Sequence, residues 1–171
     1  MKLELNFNES IYRKQMELLY NSGFGKNVEY YKNSHYLGFV LLIIGICSII
    51  NGQNFGYALI VFALGVLIPY FIFYFKNRKV LKNLVFEQDN IVSIYTQNPK
   101  VILEFTETEF KYKDYNNERD FNWTDFLTYN IIEDNIFLFT KNYEPYIIGK
   151  EEAGEENYEN ILLLIESKLK K

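Results

Sequence analysis

The chain has 171 residues, 49% hydrophobic and 18% aromatic, with 18 Lys plus Arg against 22 Asp plus Glu and a formal net charge of -4. That balance argues against a nucleic-acid partner, which needs a basic stripe to displace counterions from phosphates. One cysteine and one histidine cannot build an intramolecular disulfide or a clustered zinc or thiol centre, so no cofactor is expected.

In chain order, Lys2 to Phe7 alternates, with Leu3, Leu5 and Phe7 on one side and Lys2, Glu4 and Asn6 on the other, which predicts a strand. Glu9 to Asn21 carries Ile11, Tyr12, Met16, Leu19 and Tyr20 at helical spacing, and Ser22-Gly23 predicts its end. Gly23-Phe24-Gly25-Lys26 lacks both the glycine spacing of a phosphate loop and the Ser or Thr after its lysine. The N-terminus has no basic start leading directly into an apolar core, so membrane insertion is expected to fall to the first apolar segment rather than to a cleavable signal.

From Tyr36 to Phe75 the residues outside the apolar-plus-glycine set are Ser48, Asn51, Gln53, Asn54 and Pro69. Crossing about 30 Å of hydrocarbon takes roughly 20 helical residues, and a single helix of this length would reach about 60 Å. The run must therefore break, and Asn51-Gly52 is a strong turn dipeptide near its middle. Gly38, Gly45 and Gly52 recur every seven residues, as do Ala58 and Gly65. Small residues at that interval let membrane helices approach closely. Gly38, Gly45, Ala58 and Gly65 are read as a helix-packing seam, within the hairpin or between two copies. Pro69 predicts a mild kink.

Lys26 and Lys32 precede this run, Lys76, Arg78, Lys79 and Lys82 follow it, and the connecting turn carries no positive charge. The positive-inside rule then places both ends in the cytoplasm, with tyrosines and phenylalanines forming an interfacial belt. Lys76, Arg78, Lys79 and Lys82 form a basic collar suited to anionic headgroups. His35, at the same interface, reads as a wet, unliganded imidazole.

Val80 to Gln97 suits either a helix or two short strands around Asp89-Asn90, and Asn98-Pro99 ends it in either case. β-rich runs follow at Val101 to Phe105, Glu109 to Tyr115, Arg119 to Trp123, Phe126 to Ile132, Ile136 to Thr140 and Pro145 to Ile148, separated by turn residues. Gly154 opens a last helix with Tyr158, Ile161, Leu162, Ile165 and Leu169 on one face, acidic at its start and basic at Lys168, Lys170 and Lys171. Trp123, between Phe121 and Phe126, reads as core, and Asp125 as a turn cap or the start of a short helical step.

The fold class expected is a membrane α-helical hairpin plus an α+β cytoplasmic domain, in which an antiparallel β meander or roll carries a C-terminal amphipathic helix in a pleckstrin-homology-like arrangement. The divisions are 1–34, an N-terminal cytoplasmic strand and helix; 35–53 and 54–75, two transmembrane helices; 76–83, a basic juxtamembrane segment; and 84–171, the β-domain with its helix. This layout resembles the YcxB-like membrane proteins of bacteria, through Asn98-Pro99, Phe121-Asn122-Trp123-Thr124-Asp125-Phe126, Ile131-Ile132-Glu133, Phe137-Leu138-Phe139 and Tyr146-Ile147-Ile148-Gly149-Lys150. Gly149 stands where such proteins often have proline. The resemblance implies a bacterial inner-membrane location and a small cytoplasmic β-domain, and brings no catalytic residues.

The function expected is that of a membrane-anchored, non-catalytic interaction or regulatory module, whose partners are membrane lipid and a protein, a peptide or a second copy. A small subunit of a membrane transport assembly is one alternative, although only Cys47 and Ser48 put polarity on the helix faces. A membrane-bound enzyme is another, and would need two or more of Asp114, Glu118, Asp120, Asp125, Glu133 and Asp134 gathered in a pocket.

Overall fold

A computed structural model describes residues 1–169; Lys170 and Lys171, which the sequence places at the basic end of the last helix, lie outside them. The chain forms two compact units, one of Met1–Leu19 with the chain from Asp89 onward, the other Tyr20–Gln88.

Among the described residues the first unit contains seven strands: β1 (Lys2–Asn6), β2 (Lys100–Phe105), β3 (Glu109–Lys113), β4 (Glu118–Asn122), β5 (Phe126–Ile132), β6 (Asn135–Thr140) and β7 (Pro145–Gly149). All pair antiparallel, in a four-stranded sheet of order β1-β2-β3-β4 and a three-stranded sheet of order β5-β6-β7. Leu3, facing Leu103, and Leu5, facing Val101, carry the alternation of β1 into the core. The N-terminal strand is thus part of the β-domain and not of a separate N-terminal segment, because only pairing with β2 satisfies its backbone and buries its leucines.

The two sheets enclose Leu103, Phe105, Phe110, Phe126, Tyr129, Ile136, Leu138 and Ile148. A one-turn helix α4 (Lys150–Ala153) follows β7, and α5 (Glu155–Lys168) lays Tyr158, Ile161 and Ile165 onto this core. Gly154 separates them with φ +79°, a conformation that costs glycine nothing. Trp123 starts a 3-10 turn, is buried, and donates Nε1–H to the Thr106 carbonyl at 3.0 Å, while Asp125 Oδ2 accepts the Asn122 amide at 2.9 Å.

In the second unit, α2 (Ser34–Ile50) and α3 (Phe55–Gln97) flank a turn in which Gly52 takes φ +74°. The helical stretches Glu9–Ile50, which joins α1 (Glu9–Lys32) to α2, and Phe55–Gln97 are long and apolar enough to cross a membrane, and Val40, Ile43, Val61, Phe62, Ile68 and Ile72 are exposed apolar side chains on them. One local expectation is revised and one open alternative is decided. Helix α1 (Glu9–Lys32) does not stop at Ser22-Gly23 but runs through Gly23 and Gly25, since a glycine costs a helix only about 1 kcal/mol. Helix α3 is continuous through Lys76–Lys82 and Val80–Gln97, and ends at Asn98-Pro99 as expected; the stretch that could have been strands is helix.

Candidate functional site

Gly38 and Gly45 are buried where α2 meets α3. A Cβ on Gly38 would lie 2.6 Å from Leu67 Cγ, and one on Gly45 would lie 2.9 Å from Ile60 Cγ1 and 3.0 Å from the Gly56 carbonyl. The α3 side of the seam is Gly56, Ala63 and Leu67, not Ala58 and Gly65, which are exposed; a Cβ on Gly65 would meet nothing within 4 Å. Seven-residue spacing sets which residues share a face, but the turn sets which face points inward. Here the turn sets Gly56 against Gly45.

Lys76, Arg78, Lys79 and Lys82 are all exposed on α3, while Asn77 between them faces inward and accepts the Tyr20 hydroxyl. The four cations thus stand on the outer surface of one helix, within 10 Å of each other along its axis at about 1.5 Å per residue. His35 lies against Tyr36 and Tyr70 with its ring tilted to theirs, the ring centroids 4.0 and 4.7 Å away. Its Nδ1 is buried without a hydrogen-bond partner, so the imidazole is only partly wet.

Within the β-domain, the last turns of α3 are fastened by a tyrosine cluster. Tyr95 donates its hydroxyl to Asp114 Oδ2 at 2.6 Å and meets the Tyr112 hydroxyl at 3.1 Å; Tyr112 also donates to Asp114 Oδ2 at 3.2 Å. Burial, then the bond to Asp114, pushes Tyr95 up to about 12, and burial pushes Tyr112 up further. Burial would raise Asp114, but the bonds from Tyr95 and from the Asn116 and Asn117 amides outweigh it and hold its carboxyl below the ordinary range. The Phe7 ring packs tilted against Tyr95 at 5.4 Å, and Arg13 of α1 pairs with Asp89 of α3 at 2.8 Å.

Beside this cluster lies a mainly apolar cleft of about 280 Å³, lined by α1 residues Tyr12, Gln15 and Met16, by α3 residues Ile91 and Tyr95, and by the sheets through Leu103, Phe110, Tyr112, Tyr146 and Ile148, with Glu152. Gln15 is 6% exposed and donates its amide to Asn135 Oδ1 at 3.2 Å and to Glu152 Oε1 at 3.1 Å. Glu152 Oε1 also accepts the Gly149 amide at 3.1 Å, capping α4. A Cβ at Gly149 would come within 2.8 Å of Asn135 Oδ1 and 3.0 Å of Gln15 Nε2, so glycine is what lets α1 approach β7 here. Burial raises the Glu152 carboxyl above its ordinary value, against those two hydrogen bonds.

The sequence had no means of showing this site. Gln15 and Glu152 are 137 residues apart, and a helical glutamine and a first-turn glutamate are each unremarkable alone. Of the six carboxylates considered for acid-base work, Glu133 and Asp134 share a polar pit with Lys14 and Lys150, and Asp114 belongs to the tyrosine cluster. Glu133 is exposed and countered by Lys14 at 3.9 Å, while Glu118 is exposed and paired with Lys113 at 2.7 Å. Among the described residues no group of three or more His, Cys, Asp or Glu is placed to hold a metal ion. No family model, curated protein or solved structure matches this chain.

Proposed function

We propose that this protein is a membrane-anchored, non-catalytic interaction module: a helical hairpin in the bacterial inner membrane carrying a pleckstrin-homology-like domain in the cytoplasm. One observation carries the reading. The apolar hairpin is inserted between β1 and β2, two strands that pair residue for residue, Lys2 with Glu104 through Asn6 with Lys100. Both ends of the hairpin feed one domain, so both ends lie on one side of the membrane, and the Lys and Arg flanks make that side the cytoplasm. The four-plus-three strand arrangement with a C-terminal helix packed on its core supports the pleckstrin-homology-like roll, in keeping with the resemblance to YcxB-like proteins.

Recruitment is supported by β5, a free edge of seven uncharged residues. Leu127 is 53% exposed there, and the Ile131 amide is held by the neighbouring Asn130 side chain at 2.9 Å. A peptide strand can take over such local bonds, whereas the charged edge β4 (Glu118, Arg119, Asp120) is guarded against pairing. The test joins two measurements. A reporter fused after Lys171 is active in the cytoplasm only, and activity outside it overturns the topology. Crosslinking in cells followed by purification recovers a protein partner that Leu127→Lys loses; recovery of this chain alone overturns recruitment in favour of self-assembly.

A further inference from the structure

The cleft between α1 and the sheets contains a carboxyl, that of Glu152, with which no cation pairs among the described residues. Both hydrogen bonds that reach Glu152 fall on Oε1, and both donors are neutral, the Gly149 amide and the Gln15 side chain. The one charge that acts on it appreciably is another carboxylate, Glu151, which pushes in the same direction as burial. Among the described residues, the salt bridges of the domain join exposed or partly exposed groups and leave Glu152 out. A half-buried carboxylate with no cation beside it carries a desolvation cost, and the cost is relieved either by a proton or by a cation brought from outside. The rest of the lining determines what kind of cation fits, since Phe110, Ile91, Met16, Leu103 and Ile148 offer apolar contact and aromatic faces.

We propose that this cleft is a binding site for a small apolar ammonium compound, a primary amine on a short aryl or alkyl body, with the ammonium meeting Glu152 and the apolar body filling the space under Tyr12 and Met16. A volume of about 280 Å³ holds a single-ring molecule rather than a lipid or a nucleotide. Burial keeps the empty site in its protonated, uncharged form more readily than an exposed glutamate, and an arriving ammonium reverses that by supplying the missing charge. The proposal stands apart from partner recruitment, which uses the β5 edge.

The test uses the full chain in lipid nanodiscs, with fluorine NMR of para-fluorobenzylamine, para-fluorobenzyl alcohol and para-fluorobenzoate, and empty nanodiscs subtracted to remove partition into lipid. The amine is expected to bind about tenfold more tightly than the alcohol, with the carboxylate excluded. Glu152→Gln keeps an oxygen for the Gly149 amide, so it should fold, and it should bring the amine to the affinity of the alcohol. Met16→Trp, which fills the cleft from α1, should abolish binding of both. Equal affinity for amine and alcohol in the native chain, an amine preference that survives Glu152→Gln, or no binding of the amine at all would each overturn the proposal.

Discussion

Tyr95 donates its hydroxyl to Asp114 Oδ2 at 2.6 Å, and this bond ties the last turns of α3 to the turn between β3 and β4. The same carboxylate takes the amides of Asn116 and Asn117, so one side chain organises the turn and holds the helix. Tyr95→Phe removes the helix tie alone. It should cost about 1–3 kcal/mol, because the bond is to an ionised acceptor, and should raise hydrogen exchange in the β3–β4 turn and the final turns of α3. Unchanged exchange at both places would show the bond to be incidental.

Asp114 and Glu152 predict opposite pH limbs. Asp114 is depressed below its ordinary 3.8, so its contribution is present above that value and is lost as pH falls through the lower folded value. Glu152 is raised above its ordinary 4.5, so its contribution is fully present below 4.5 and is lost as pH rises through the higher folded value. Glu152→Gln should therefore gain stability relative to the native chain as pH climbs above 4.5, while Asp114→Asn should flatten the loss below 3.8. Thermal unfolding of the two variants across that range reads both signs.

The helix seam separates positions that the sequence treats alike. A Cβ on Gly56 would lie 2.5 Å from the Gly45 carbonyl, whereas one on Gly65 would touch nothing. Gly56→Leu should push the helices apart at a cost of about 1–3 kcal/mol or more. Gly65→Leu should leave the hairpin unchanged. Cysteine pairs across the turn, scored for crosslinking in each background, measure the difference; a loss of association between copies in Gly65→Leu would instead assign that face to a second chain.

Ile161 on α5 is fully buried among the sheet side chains. Truncating it to alanine should cost about 2–5 kcal/mol through lost burial and the cavity left behind. Leu163, two residues on and 64% exposed, should tolerate alanine within about 0.5 kcal/mol. Equal effects of the two substitutions in denaturant unfolding would mean that α5 does not pack as described.

Much of the fold was legible because burial writes itself into period and punctuation. Phe126 to Ile132 was read as a strand with the bounds it has, since alternation and flanking turns are local signals. The end of α1 was misread at Ser22-Gly23, because a glycine costs a helix only about 1 kcal/mol, too little for that local signal to end it. Asp125 was legible as a cap because its bond is to a neighbour three residues away, and Trp123 as core because it is a large apolar side chain flanked by Phe121 and Phe126.

The sequence by itself determined two apolar helices around an Asn51-Gly52 turn, a series of β-strands and an amphipathic final helix, since each depends on residues within a few turns of one another. Only the tertiary structure decided that β1 completes the β-domain across the inserted hairpin, that Gly56 rather than Ala58 or Gly65 faces Gly45, and that Gln15 reaches Glu152. Those are contacts between residues on different elements, from about ten to more than a hundred positions apart. Their geometry is set by which faces pack together, and no local pattern records the phase of a distant partner.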